Sequence, residues 1–432
     1  MNGLKLGVGR KIITPAVGGQ LYGYRPDVFS ECVEDDLHVT AFYFEQGETK
    51  ALMLSAEVCL INTALAGDIL FAIEKSFGIP KENCMLCATH THSGPNTSGQ
   101  TGWGDIDREY CENVFIPAVM SATKKATEKV TPVKMAVSRG VSLVGINRRE
   151  LDENNKLILG QNPWGAFDPE MTVRSFADGA GKVVANMVHY GAHGTSAGAN
   201  REITRDWSGA MIDALEGQSG GVTAFFNGPE GDVGPRLSNK KTVGDITYVH
   251  EMGKIAAKDA LEIYGKITEY KDTELSVSHK ILSVPLKKRI SEEEATALYE
   301  EFKEHTVNRR GMMRELAEKV LKSYGDGYVD KEAVEVPQTA IMLGDIVFAA
   351  FPYELFSEIG MRIDRAVGGK SVLSLSNTNG SEGYFITKDA VCRGGYEVQM
   401  FLYGHLQQYD DDADFYLMKE CAEHIKSMTE GK

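Results

Sequence analysis

The chain has 432 residues, 42% of them hydrophobic and 25% charged, and carries a formal net charge of −15. Such a length buries a large core, while the acidic balance speaks against nucleic acid or an anionic membrane surface as partner, since both demand a basic patch. No stretch approaches the ~18 apolar residues of a membrane span, and seven scattered cysteines do not make a disulfide framework.

The opening Met1-Asn2-Gly3-Leu4-Lys5-Leu6 runs straight into folded-looking sequence without a signal peptide, so a cytoplasmic location is expected. Gly7-Val8-Gly9 is a fragment of a glycine-rich loop with no helix behind it and carries little weight. The repeating pattern that follows is a short β-rich run releasing a polar loop. Leu52-Met53-Leu54-Ser55 leads into Ala56-Glu57, and Asn83 to Ala88 leads into Thr89-His90-Thr91-His92-Ser93-Gly94-Pro95. Val183 to Tyr190 leads into Gly191-Ala192-His193-Gly194-Thr195-Ser196, and Val222 to Phe226 into a loop from Asn227 to Arg236. Ile346 to Phe351 then reaches Pro352-Tyr353-Glu354, and Ser371 to Leu375 reaches Asn377-Thr378-Asn379-Gly380. Six buried strands thus release loops at their carboxyl ends, where open α/β sheets place their sites.

Amphipathic helices intervene. One is expected after Asp206, a good N-cap, and another after Ser291, whose Ser-x-x-Glu with Glu294 is a capping box. The charged stretch 290–325 reads as a surface helical pair. The predicted fold is α/β, with mixed β-sheets flanked by helices in a single domain over 1–432.

The His-x-His of His90 and His92 places two imidazoles on one face of an extended strand, able to reach one point. A chance pair beside a core is the competing reading. His189-Tyr190-Gly191-Ala192-His193 repeats the arrangement, so four of the ten histidines sit at two strand ends. Zinc takes imidazole and carboxylate ligands, and Glu354 is a candidate oxygen donor, or else a helix N-terminal carboxylate. Gly217-Gln218-Ser219-Gly220-Gly221 matches the nucleophile-elbow pattern but joins a helix to a strand, the reverse of what that motif needs, so it is read as a turn. Cys84-x-x-Cys87 lies inside an apolar run and is read as two buried strand residues, and Asp410-Asp411-Asp412 as a solvated surface.

The block Ala88 to Pro95 resembles the signature of the neutral, non-lysosomal ceramidase family of zinc amidases. The similarity continues in order along the chain through Gly7-Val8-Gly9-Arg10, Ile13-Thr14-Pro15, Gly145-Ile146-Asn147-Arg148, Asp168 to Thr172, His193-Gly194-Thr195-Ser196, Pro352-Tyr353-Glu354, Tyr384 and Tyr396-Glu397 with Tyr403-Gly404. The resemblance implies zinc held by His90, His193, Glu354 and Tyr384, with His92, Arg148 and Tyr396 facing the substrate. In that reading zinc activates water, His92 relays protons, and Arg148 and Tyr396 stabilise an oxyanion. The sequence departs from the family at its active-site serine: Gly-Asp-x-Ser-Pro reads Gly231-Asp232-Val233-Gly234-Pro235 here. Arg201, Arg205 and Arg236 gather in the same loops, and Arg205 and Arg236 are expected to bind a small polar or anionic substrate. The expected function is zinc-dependent hydrolysis of an amide-type bond in a small molecule. A zinc-dependent lyase acting on a sugar derivative and a silent metal-binding homologue are the alternatives.

Overall fold

The computed structural model describes residues 3–430. Its larger sheet has eight strands in the spatial order Val222–Asn227, Val183–Tyr190, Glu170–Asp178, Val130–Val141, Lys5–Ile12, His38–Gln46, Thr49–Ala56 and Cys84–Ala88. The centre is antiparallel, and the outermost pair at each edge is parallel. Strands paired in parallel are buried on both faces and read as continuous apolar runs, which is why Cys84–Ala88 is buried at every position. The sheet curls until its two ends meet: Ser55 Oγ donates to the Phe225 carbonyl at 2.6 Å, and the Phe42 and Phe226 rings lie 5.9 Å apart.

A four-stranded sheet, Leu275–Pro285, Ala333–Leu343, Ile346–Ala350 and Ser371–Leu375, packs against the larger one. Phe44, Met53, Met85, Phe176 and Met187 of the large sheet meet Ile341, Phe348 and Leu373 of the small one. Helices cover the outer faces. Thr63–Phe77 and Ile116–Glu128 lie over one half of the large sheet, and Trp207–Ser219 and Ile246–Tyr264 over the other. Ser357–Val367 and Ala413–Glu430 belong with the small sheet. The predicted mixed α/β architecture is the observed one.

Local signals explain several elements. Asp206 caps Trp207–Ser219 through Trp207 N–H, and Ser291 and Glu294 form both halves of the expected capping box on Glu292–Phe302. Gly217 to Gly221 is no nucleophile elbow: Gly217 to Ser219 close the helix, and Gly220, in the left-handed region (φ 72°), is its C-cap before the next strand. Gly7 and Gly9 have a packing reason: a Cβ on either would strike the Ala126 or Ala122 carbonyl of the helix lying across this strand. Asp411 and Asp412 are exposed and pair with Lys287 and Lys388, as a solvated run should.

A candidate metal centre at six strand ends

The loops after all six strands named from the sequence meet at one place. They contribute Cys59, His90, His193, Glu230, Glu354 and Asn377. One expectation needs correction: His90 and His92 do not project from an extended strand. The strand stops at Ala88, and His90 stands in the left-handed region with φ 68°, an uncommon conformation for a residue with a side chain. The neighbouring loop holds it there, since His92 N–H donates to the Gly194 carbonyl at 3.0 Å and Gly194 N–H to the His90 carbonyl at 3.3 Å. Gly194 permits that approach: a Cβ there would lie 2.8 Å from the His90 oxygen. The two histidine motifs are therefore zipped backbone to backbone.

Each ring nitrogen has an assignable task. His90 Nδ1 faces the Cys59 carbonyl at 2.9 Å, and His193 Nδ1 faces the Glu230 and Val233 carbonyls at 2.9 and 3.1 Å. A carbonyl can only accept, so both Nδ1 atoms carry the proton and both Nε2 lone pairs are turned inward. There they meet Glu354 Oε2, at 3.5 Å from His90 Nε2 and 3.1 Å from His193 Nε2. The donor atoms of His90, His193 and Glu354 lie within 4.8 Å of one another, and all three residues are buried. His193 Nε2 and Glu354 Oε2 have no hydrogen-bond partner among the described residues. Two imidazoles and a carboxylate converging in a buried site, with His193 Nε2 and Glu354 Oε2 unpartnered, fit the donor set of a zinc-type cation.

Charge follows the same geometry. Burial alone would raise the Glu354 carboxyl, but His90 and His193 hold it well below the usual carboxylate range. Burial pushes His193 down to about 3. Burial would also lower His90, yet Cys59 and Glu354 carry it well above its ordinary value, so a proton competes with a cation for its Nε2. Glu354 does not open a helix, as its position after a strand suggested. It belongs to a two-residue strand, Glu354–Leu355, paired in parallel with Tyr384–Phe385 so that Glu354 stands beside Tyr384.

Tyr384 is buried, and its hydroxyl accepts from Arg148 Nη2 at 2.9 Å. Burial pushes that hydroxyl far up, against the pull of Arg148, so it stays a neutral phenol. Glu397, fully buried, takes Arg148 Nε at 2.9 Å on one oxygen and Arg149 Nη1 at 2.6 Å on the other. Two guanidiniums thus share one carboxylate. Tyr396 packs edge-on against Tyr384 at 5.8 Å, and His92 Nε2 lies 3.2 Å from His90 Nε2.

A cavity of about 650 Å³ opens onto this cluster, lined at its inner end by His92, Arg148, Tyr384 and Tyr396. The structure therefore brings seven of the nine predicted site residues together: His90, His92, Arg148, His193, Glu354, Tyr384 and Tyr396. It does not bring Arg205 and Arg236. Arg205 is buried and spent on Asp35 and Asp213, at 2.5 and 2.7 Å. Arg236 donates to the Gly145 carbonyl and lies over the Phe167 ring. Neither lines the cavity, and Arg201 is an exposed partner of Glu31.

Several contributors had not been singled out. Cys59 Sγ lies 3.7 Å from His90 Nδ1. Glu230, fully buried and pushed by burial up to about 8, accepts from Asn377 Nδ2 at 2.6 Å. Both Glu230 and Asn377 follow strands in the pattern already noted, which was the available signal. The predicted helical pair forms as Glu292–Phe302 and Asn308–Gly325, but it is more than surface: His305 and Val307 of the joining loop, with Asn308, Arg309 and Arg310 of the second helix's first turn, form a cavity wall. A larger cavity, about 970 Å³, lies by Asn147, Arg149 and Trp164 and holds none of the seven.

Gly234 is enclosed. A Cβ there would lie 2.7 Å from both Cβ and Cγ2 of Thr242, a cavity-lining residue. Gly234→Ser alone is expected to cost about 1–3 kcal/mol through overpacking, and Gly234→Ser with Thr242→Gly, which removes both clashing atoms, to recover part of it in denaturant unfolding. A single variant as stable as the parent would show that Thr242 yields freely.

Fold and site together define an α/β protein with a buried histidine–carboxylate centre at converging strand ends. Residues 4–256 match the family described as neutral/alkaline non-lysosomal ceramidase, N-terminal, and the chain belongs to that family. The neutral ceramidase of Pseudomonas aeruginosa is 25% identical over 248 residues, which is 53% of this chain and 37% of that protein. Neutral ceramidase A of Dictyostelium discoideum is 26% identical over 256 residues, 54% of this chain and 36% of the relative. The match thus spans little more than a third of either relative's length. The crystal structure of the Pseudomonas enzyme superposes on all of this chain and on 75% of its own, with a TM-score of 0.76 at 19% identity. That likeness extends the shared fold past residue 256, to the segments carrying Glu354, Tyr384 and Tyr396.

Proposed function

We propose that this chain is a zinc-dependent hydrolase that cleaves an amide-type bond in a small polar molecule with water as nucleophile. The observation that carries the reading is the convergence of His90 Nε2, His193 Nε2 and Glu354 Oε2 in a buried site whose outer nitrogens are already satisfied by backbone carbonyls. The amide comes from the relatives' names and stays a proposal, because a fold hosts many reactions. In this reading His90, His193, Glu354 and Tyr384 hold the metal, which when bound supplies Lewis acidity toward a water or a carbonyl.

The chain's own groups do the rest. Arg148, kept charged by Tyr384 and Glu397 despite its burial, stands beside the Tyr384 hydroxyl and is placed to stabilise negative charge growing on a carbonyl oxygen. Tyr396, whose hydroxyl burial keeps protonated, supplies a second donor from the same wall. His92 lines the cavity and sits against His90, where it can pass a proton to a leaving amine. No hydroxyl projects from Gly234, so water is the nucleophile that remains.

Short N-acyl amines incubated with the protein should release free amine, with release stopped by a chelator and restored by zinc. Turnover that ignores the chelator would sink the reading. Turnover of keto-sugars but not amides would favour a lyase on the same residues.

A further inference from the structure

One wall of the cavity carries a feature that the proposed reaction does not use. Arg309 and Arg310 line the cavity, and among the described residues neither forms an ion pair or a side-chain hydrogen bond. Most of the chain's other arginines do. Arg205 pairs with Asp35 and Asp213, Arg289 with Asp330, Arg362 with Glu358, and on the same helix Arg314 lies 3.9 Å from Glu318. Arg309 is half-buried and close enough to act electrostatically on Tyr396.

The surroundings accentuate the charge. No aspartate or glutamate lines the cavity, whereas Arg148, Arg309 and Arg310 do. Deeper in, Arg148 and Arg149 share the single carboxylate of Glu397. Both arginines stand in the first turn of the helix Asn308–Gly325, which has no acidic residue in that turn and no capping side chain. Cations there oppose the helix dipole and would ordinarily cost stability. Their position is also fixed: Asn308 N–H donates to the Gly102 carbonyl at 2.5 Å, and a Cβ on Gly102 would strike the Asn308 backbone. In a chain of net charge −15, an acid-free cavity rimmed by unpaired guanidiniums concentrates an anion. Its remaining walls include the apolar faces of Trp103, Leu159, Val243 and Val307.

Building on the amide-hydrolase reading, we infer that the substrate is an N-acyl amino acid with a short acyl chain, its free carboxylate held by Arg309 and Arg310. Guanidinium forks match carboxylates, and the apolar walls take the chain. A neutral N-acyl amine, ceramide included, would leave both arginines without a counter-charge.

Zinc-loaded protein is tested with N-octanoylglycine and with its uncharged amide, N-octanoylglycinamide, by initial rates and by equilibrium binding. The acid is expected to have a kcat/KM roughly tenfold or more above the amide, with the ratio falling toward one at high salt and in Arg309→Gln/Arg310→Gln. Unchanged thermal unfolding checks that the double variant is folded. Equal constants overturn the inference. So does a preference that survives in the double variant, because the carboxylate would then be bound elsewhere, the metal included. If neither compound is hydrolysed but the acid binds tighter in an arginine-dependent way, the amide reading fails and the anion site stands.

Discussion

His193→Ala and Glu354→Gln are each expected to abolish stoichiometric zinc binding and to lower kcat/KM by roughly a thousandfold or more. Both side chains are buried, and both present an unpartnered atom to the same point. Backbone pairing holds both loops, through Gly194 to His90 and through Glu354 N–H to the Gly383 carbonyl, and the two carbonyls that lose His193 Nδ1, those of Glu230 and Val233, each keep a backbone N–H donor. Loss of metal should therefore come without loss of fold, read as metal per chain by elemental analysis beside the far-ultraviolet circular dichroism. His92→Ala should keep about one zinc while losing turnover, because the convergent carboxylate serves His90 and His193 and His92 stands outside that set. Native protein that purifies and works without metal, or a His193→Ala variant that retains a full equivalent, would remove the centre from the account.

Glu397→Gln is expected to cost about 3–5 kcal/mol of stability, the usual penalty for breaking a buried ion pair from one side. Here the penalty falls on two charges at once, since Arg148 and Arg149 both depend on this carboxylate and both are nearly inaccessible to solvent. Denaturant unfolding measures it, and a loss below about 1 kcal/mol would mean that water reaches the guanidiniums. Replacing Arg149 by methionine in the same background should recover part of the loss, because one uncompensated charge is then gone. Activity should fall further than stability explains, because Arg148 also holds the Tyr384 hydroxyl.

Much of this was legible in the chain. Buried parallel strands announce themselves as apolar runs, and Cys84–Ala88, Val183–Tyr190 and Ser371–Leu375 all did so. Chemistry-bearing residues placed directly after such runs point to the carboxyl edge of a sheet, so His90, His193 and Glu354 could be named before their convergence was visible. The arginines could not be sorted the same way. Arg205, Arg236, Arg309 and Arg310 are alike as letters. What separates them is whether a carboxylate, a carbonyl or an aromatic ring happens to stand opposite, and those partners lie in other segments of the chain. For Arg205 they are Asp35, 170 residues away, and Asp213. Arg309 and Arg310 have none among the described residues.

The sequence by itself therefore determined the α/β class through periodicity, because that is a local property, and offered His90, His193 and Glu354 as candidate ligands at strand ends, while the family and Tyr384 came from the resemblance of its motifs. Tertiary structure decided three further things. It put His90 into a left-handed turn and turned both Nε2 atoms inward, through carbonyls of Cys59, Glu230 and Val233. It filled the space beside Gly234 with Thr242. It also brought a distant helical hairpin over the cavity mouth, setting two unpaired cations there. Each depends on which remote atoms share a few ångströms, and that is settled by the packing of the whole chain.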